Sequence, residues 1–195
     1  MKKCVIIVDN SNVWIEGKKF SAKQKGIKAE NDAEDAEDPS WRIDFGKLLS
    51  TIADGKEISH AILVGSEPPQ NDSLWDAAKK QGFEVKVHAR NYIGKEKAVD
   101  TEIVMRGTRI ICCSEQPGVL KLLSGDRDFL PLVECATEEG WDTVMWAFTN
   151  AFNEYGEMAQ AVNTIKPLDD VFDLIGRYEF KWPINKSPLG TLPSK

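Results

Sequence analysis

Four aspartates of this 195-residue chain, Asp9, Asp100, Asp126 and Asp128, have the residue type and placement for chemistry. Asp9 closes the apolar run Cys4–Val8, and Asp126 follows the apolar run Val119–Leu123 by way of Ser124 and Gly125. In an open parallel sheet, ligands bind beyond the carboxyl ends of the strands, where the strand order switches direction. If these two runs are neighbouring strands at that point, Asp9 and Asp126 face one crevice. Asp128, two residues on, lies in the strand-to-helix turn, and Asp100 near the start of a helix can approach from an adjacent loop. Carboxylates brought together repel and raise one another's pKa unless a cation sits among them. Mg²⁺ suits such a place because it takes oxygen ligands and keeps waters that a phosphate can replace. Ions held this way can activate a water and stabilise the leaving oxygen of an in-line displacement. The chemistry needs no histidine, and the chain has only two. Taken singly, each aspartate also has a plain structural role as turn former or helix cap.

The elements that must position these acids read as alternating βα units around a mostly parallel sheet, an α/β fold. Cys4–Asp9, His60–Val64, Phe83–His88, Val119–Leu123 and Asp142–Phe148 have the length and composition of five strands. Helices are expected over Asn12–Phe20, Phe45–Ala53, from Asn71 or Asp72 to Gln81, Ala98–Cys112, Phe129–Glu139, and from beyond Asn150 to Val162. Asp44 can cap the second of these, and Gly82 and Gly140 end the helices before them. Pro131 is tolerated in a first helical turn. One domain is expected over residues 1–182, with an acidic insertion at 28–40 and a proline-containing tail at 183–195.

Composition narrows the class without naming an activity. Hydrophobic residues make up 42% and charged residues 29%, as in an ordinary globular protein. The apolar runs are far too short to span a bilayer, and the N-terminal run is read as a buried strand rather than a leader. Cys4, Cys112, Cys113 and Cys135 form no C-x-x-C pair or zinc spacing, and reduced thiols in a cytoplasmic compartment are expected. The net charge of −6 argues against broad electrostatic capture of nucleic acid. Much of it comes from Glu30–Asp38, with six acids and no base, which is read as a solvated, dispensable insertion. Lys18, Lys19, Lys23, Lys25 and Lys28 precede it, as phosphate contacts or a solvated face. The six tryptophans are read as packing ahead of base stacking, and His60 as structural.

Three local sequences carry a resemblance. Val8-Asp9-Asn10-Ser11-Asn12 resembles the D-x-x-N opening of NYN-domain proteins, including their LabA-like branch. Lys97-Ala98-Val99-Asp100 looks like their K-x-V-D box, and Ser124-Gly125-Asp126-Arg127-Asp128-Phe129-Leu130-Pro131-Leu132-Val133 is similar to S-G-D-x-D-F-x-P-L-V. The last box is specific, whereas D-x-x-N alone is not, and the resemblance covers roughly residues 3–165. It implies a PIN-like three-layer sandwich with a mostly parallel five-stranded sheet, a site using Mg²⁺ or Mn²⁺, and hydrolysis of phosphodiester bonds, usually of RNA. By position it makes Asp9, Asp100, Asp126 and Asp128 the catalytic and metal-holding residues. Asn12, Ser124 and Asn150 become substrate contacts, and the Arg106 side chain, not a family match, could grip the scissile phosphate through a bidentate fork. Asn12 could hold Asp9 or a phosphate through its amide, and Asn150 ends a looser match at Trp146–Asn150. Arg106 is a departure, since the family often has an acid there. It supports an alternative reading, a weakly active NYN domain that binds RNA or a protein; Glu102 could compensate for the lost acid or simply pair with Arg106 at i,i+4 spacing. A phosphatase of the haloacid dehalogenase type is disfavoured because Asp9 is followed by Asn10 and Ser11 rather than a D-x-D box. A nucleic-acid partner is expected and no membrane, and a homodimer is compatible with the sequence.

Overall fold

The computed structural model describes residues 2–29, 35–66, 72–88 and 97–181. The helix cap expected at Asn71, residues 30–34 of the acidic run, Trp182 and the 183–195 tail lie outside them. Six strands form one parallel sheet in the order β4-β3-β1-β5-β6-β7. They are β1 (Cys4–Asp9), β3 (Ile58–Ser66), β4 (Glu84–His88), β5 (Val119–Leu123), β6 (Asp142–Ala147) and β7 (Thr164–Pro167). A separate antiparallel pair joins β2 (Trp41–Ile43) to β8 (Gly176–Tyr178).

The middle strand β1 is buried along its whole length, so both of its faces must be apolar. Alternation divides it: Cys4, Ile6 and Val8 enter one core cluster, and Val5 and Ile7 enter the other. The first cluster is closed by helices α1 (Asn10–Gln24), α2 (Phe45–Ala53), α3 (Asp72–Lys80) and α7 (Phe172–Ile175), through Val13, Leu48, Trp75 and Phe172. The second is closed by α4 (Lys97–Cys113), α5 (Leu130–Glu138) and α6 (Glu157–Ala161), through Ile103, Leu132 and Met158. These are the three layers of the expected sandwich. Gly107 interrupts no helix because it is needed inside one. A Cβ there would lie 2.5 Å from the Leu132 side chain and 3.0 Å from that of Ile7, so glycine lets α4 lie close on α5 and β1.

Two expectations about elements change. The sheet has six strands rather than five, because the helix expected from Asn150 to Val162 is broken. A 3₁₀ turn at Thr149–Ala151, the short α6 and then β7 occupy that stretch and its continuation. The 3₁₀ turn is held from below, with the Thr149 amide and hydroxyl donating to Asp169 at 2.9 and 2.8 Å. Of the cysteines, Cys4 is buried. Cys112 and Cys113 are exposed, and all four are free thiols.

The acidic run was expected to be solvated; of its described acids Asp35 and Glu37 are exposed, but Asp38 is not. Asp35 pairs with Lys19 at 3.2 Å and Glu37 with Lys18. Asp38 is wholly buried and accepts from Ser21 Oγ at 2.6 Å, Lys25 Nζ at 2.6 Å and the Ser40 backbone N–H at 2.8 Å. Lysines of α1 that could have formed a free basic face are thus engaged by acids of the same chain. Trp41, Trp75, Trp141 and Trp146 are core residues, while half-buried Trp14 lies under the Lys18 ammonium, 4.5 Å from its ring centre.

Candidate active site

The chain leaves β1 toward β3 and β4 on one side and returns through β5, β6 and β7 on the other. The direction of strand order therefore reverses between β1 and β5, the place where open α/β sheets bind ligands. These two strands pair in register from Cys4 with Val119 to Val8 with Leu123. The next residues are Asp9 and Ser124, so the register itself brings the first box of the sequence against the third.

A relay of hydrogen bonds follows from that register. Buried Asp9 accepts from the Asn12 backbone N–H through Oδ1 at 3.2 Å, which caps α1. Its Oδ2 accepts from the Ser124 hydroxyl at 3.4 Å. Ser124 Oγ accepts in turn from the Asp126 N–H at 3.2 Å, and Asp126 Oδ1 from the Asp128 N–H at 2.9 Å. Asp126 is the cap of the 3₁₀ turn Arg127–Phe129. The turn is pinned where Gly125 stands, since a Cβ there would lie 2.7 Å from Phe152 and 2.9 Å from the Ala151 carbonyl oxygen. Glycine in this box therefore serves a close approach of backbone to backbone. Asp100 and Asp128 both line an open groove beside this turn.

The other substrate residues expected from sequence are placed less uniformly. Asn12 reaches Asp9 with its backbone N–H rather than its amide side chain. Asn150 donates through Nδ2 to Glu16 on α1 at 2.8 Å, one helical turn along from Asn12. Glu16 was passed over in the sequence, although its i+4 spacing from Asn12 puts it on the same helix face. Asn10, beside Asp9, is a second omission: its side-chain oxygen is buried and has no hydrogen-bond partner among the described residues.

Arg106 is not brought to the groove. The helix α4 runs back across the sheet, and six residues at about 1.5 Å each carry Arg106 roughly 9 Å from Asp100 along the axis. There its guanidinium meets Glu102, one turn earlier, and Glu84 at the start of β4 at 2.6 Å. The hydrogen bond to Glu102 is the main reason its pKa is raised. Glu102 thus pairs with Arg106 rather than standing in for the acid that the family often has at position 106, and the arginine itself is held away from the acidic turn by its two carboxylate partners. Arg106→Gln should change any metal-dependent activity less than twofold and lower stability by about 0.5–1 kcal/mol, as for a partly exposed ion pair. Paired activity assays and thermal melts check this; an activity change of tenfold would restore Arg106 to the site.

Among the described residues, no three acidic, histidine or cysteine side chains stand close enough together to share one ion. The donors nonetheless fit a hard divalent cation in kind, being carboxylate oxygens, and Asp126 and Asp128 are exposed to solvent. Mg²⁺ characteristically binds through one or two carboxylates, with water and phosphate completing its shell. A preformed three-ligand cage is therefore not required.

The model of the NYN domain family matches residues 10–166. The chain belongs to the NYN domain family. This match begins just after β1, covers two of the three boxes in full, and accounts for the nuclease-like α/β fold around them. No curated protein matches the NYN chain. Among solved structures, a Vibrio parahaemolyticus protein of unknown function is similar at 18% identity and a TM-score of 0.64, covering 89% of this chain and 96% of that one. At that identity the likeness concerns the fold alone. No helix among the described residues of this NYN protein is long and apolar enough to cross a membrane.

Proposed function

We propose that this NYN domain is a metal-dependent nuclease that hydrolyses phosphodiester bonds of RNA at the β1–β5 switch point. The observation that carries the reading is the Asp9–Ser124–Asp126–Asp128 relay at the strand ends, with Asp100 lining the same groove as Asp128. Of Asp9, Asp100, Asp126 and Asp128, one or two carboxylates at a time would bind Mg²⁺ or Mn²⁺ directly and the others through its waters. When bound, the ion supplies a Lewis acid for the phosphate and lowers the pKa of a water. Asp9 is held in place by two donors, the Asn12 N–H and the Ser124 hydroxyl, so its rotamer is set before substrate arrives. Ser124 acts as a positioning residue, its hydroxyl donating a hydrogen bond to Asp9 while its oxygen accepts from the Asp126 N–H. Asp126 and Asp128 present their carboxylates to solvent from a turn clamped at Gly125.

The test combines cleavage with binding of the metal alone. Labelled single-stranded RNA should be cut with Mn²⁺ or Mg²⁺ and remain intact in EDTA. A ligand bound only by the native state at about a hundredfold excess over Kd adds about 2.7 kcal/mol. The melting temperature should therefore rise by several degrees with metal. Asp126→Asn should lose both effects while folding normally. A metal-independent melt together with intact RNA and DNA under all metals would sink the proposal.

A further inference from the structure

The groove between α4 and the start of α5 is lined by more than its acids Asp100, Asp128 and Glu157. It encloses about 700 Å³, within the size of ordinary small-ligand sites. Its wall is apolar, formed by Val104, Met105, Leu130 and Pro131. Met105 is 52% exposed, although it lies on a helix whose neighbouring positions Ile103 and Gly107 are buried. Arg127 closes the end of the groove nearest the acidic turn, between Asp126 and Asp128 in sequence. Its guanidinium is 3.6 Å from Glu157, and their side chains are 78% and 65% exposed. An ion pair so open to water is held weakly, so the guanidinium can exchange Glu157 for another oxyanion at little cost.

We propose that this groove is a nucleotide subsite, in which an unpaired base lies against Met105 and Pro131 and Arg127 grips the adjoining phosphate. The assignment rests on the nuclease reading for its occupant, since a strand presenting one phosphate to Asp126 and Asp128 must lay its neighbouring nucleotide somewhere beside them. A polarisable thioether and a proline ring suit the flat face of a base without selecting its edge. The planar fork of arginine suits two phosphate oxygens at once. A recess of this kind takes a base that is splayed out. Bases stacked and paired inside an A-form helix present only their edges in the grooves. The substrate class is therefore single-stranded nucleic acid, and Arg127 and Met105 set that preference.

The test reads binding apart from cleavage. The chain has four methionines, so a sample labelled with ¹³C at the methionine methyls gives few signals, and Met105→Leu identifies the one required. Adenosine 5′-monophosphate, which has no phosphodiester to cut, is titrated in the presence of Mg²⁺. The Met105 methyl should shift while that of Met145, buried in the second core cluster, stays in place. Arg127→Gln should weaken the nucleotide about tenfold, as for loss of a charged hydrogen bond. Adenosine without phosphate should bind weakly to both forms and be indifferent to the substitution. Met105→Ser should raise KM for single-stranded RNA and leave kcat unchanged. A methyl signal that does not move, or one that moves equally in Arg127→Gln, overturns the subsite even if RNA is cleaved. A shift that depends on Arg127 in a protein that cleaves nothing supports the subsite and removes the nuclease reading instead.

Discussion

Asp9→Asn should cost on the order of 10²–10³-fold in kcat for metal-dependent RNA cleavage while leaving the metal-free melting temperature nearly unchanged. The separation is expected because Asp9 does two jobs at once. As the cap of α1 it accepts from the Asn12 N–H, and asparagine caps a helix about as well as aspartate. With the single amide oxygen capping α1, the amide NH₂ takes the place of Oδ2 and can donate to Ser124 Oγ, so the contact survives with its direction reversed. What disappears is the negative charge. Metal acting as a Lewis acid contributes several kcal/mol of transition-state stabilisation, and each 1.36 kcal/mol is a factor of ten in rate. Asp9→Ala should show the same loss of activity plus about 1 kcal/mol of lost stability from the missing cap. Turnover assays and melts in EDTA check both. Retention of more than a tenth of the activity in Asp9→Asn would remove Asp9 from the site.

The largest expected effect on stability lies at the end of the acidic run. Burial pushes the Asp38 carboxyl upward, but hydrogen bonds from Lys25, Ser21 and Ser40 outweigh it and hold its pKa at about 2, below the ordinary 3.8. A depressed carboxylate contributes stability above its unfolded pKa and loses it as pH falls through the folded value. The contribution should be complete above about pH 4 and vanish toward pH 2, amounting to about 2 kcal/mol at 1.36 kcal/mol per unit. Asp38→Asn should therefore lower stability near neutrality by about 2–3 kcal/mol, since removing one partner strands the others, although Lys25 keeps some access to solvent. For a domain of this size that is roughly 4–12 °C in melting temperature. The variant should also lose the steep acid limb between about pH 4 and pH 2. Deleting residues 35–38 should destabilise at least as much, contrary to the expectation that the run is dispensable. A melt unchanged by Asp38→Asn at neutral pH would show that the buried carboxylate contributes nothing.

Much of the fold was legible because it depends on local pattern. The continuous apolar runs of β1 and β5 mark strands buried on both faces, and the Asp44 cap with its apolar stripe sets α2 at Phe45–Ala53. The S-G-D-R-D-F box was legible for the same reason, because its turn chemistry is contained within six residues. The β2–β8 pair was not, since three-residue strands brought together from positions 41–43 and 176–178 leave no periodic signal. Lys121 was equally opaque. A lysine within an apolar strand gives no hint that its ammonium ends on the Ile52 and Ala53 carbonyl oxygens at 2.6 and 2.8 Å, capping the far end of α2.

By itself the sequence determined the family, the alternation of strands and helices, and which acids stand at strand ends, since strand limits and turn residues are set by neighbours along the chain. Only the tertiary structure decided which of those residues meet. The pairing of β1 with β5 put Asp9 beside Ser124, and the direction of α4 carried Arg106 away to Glu84 while leaving Asp100 at the groove. It likewise decided that Asp35, Glu37 and Asp38, at the end of the acidic run, pair with Lys19, Lys18 and Lys25. Charge along a sequence records how many acids and bases there are, but whether they face water or one another depends on the distances that folding sets between them.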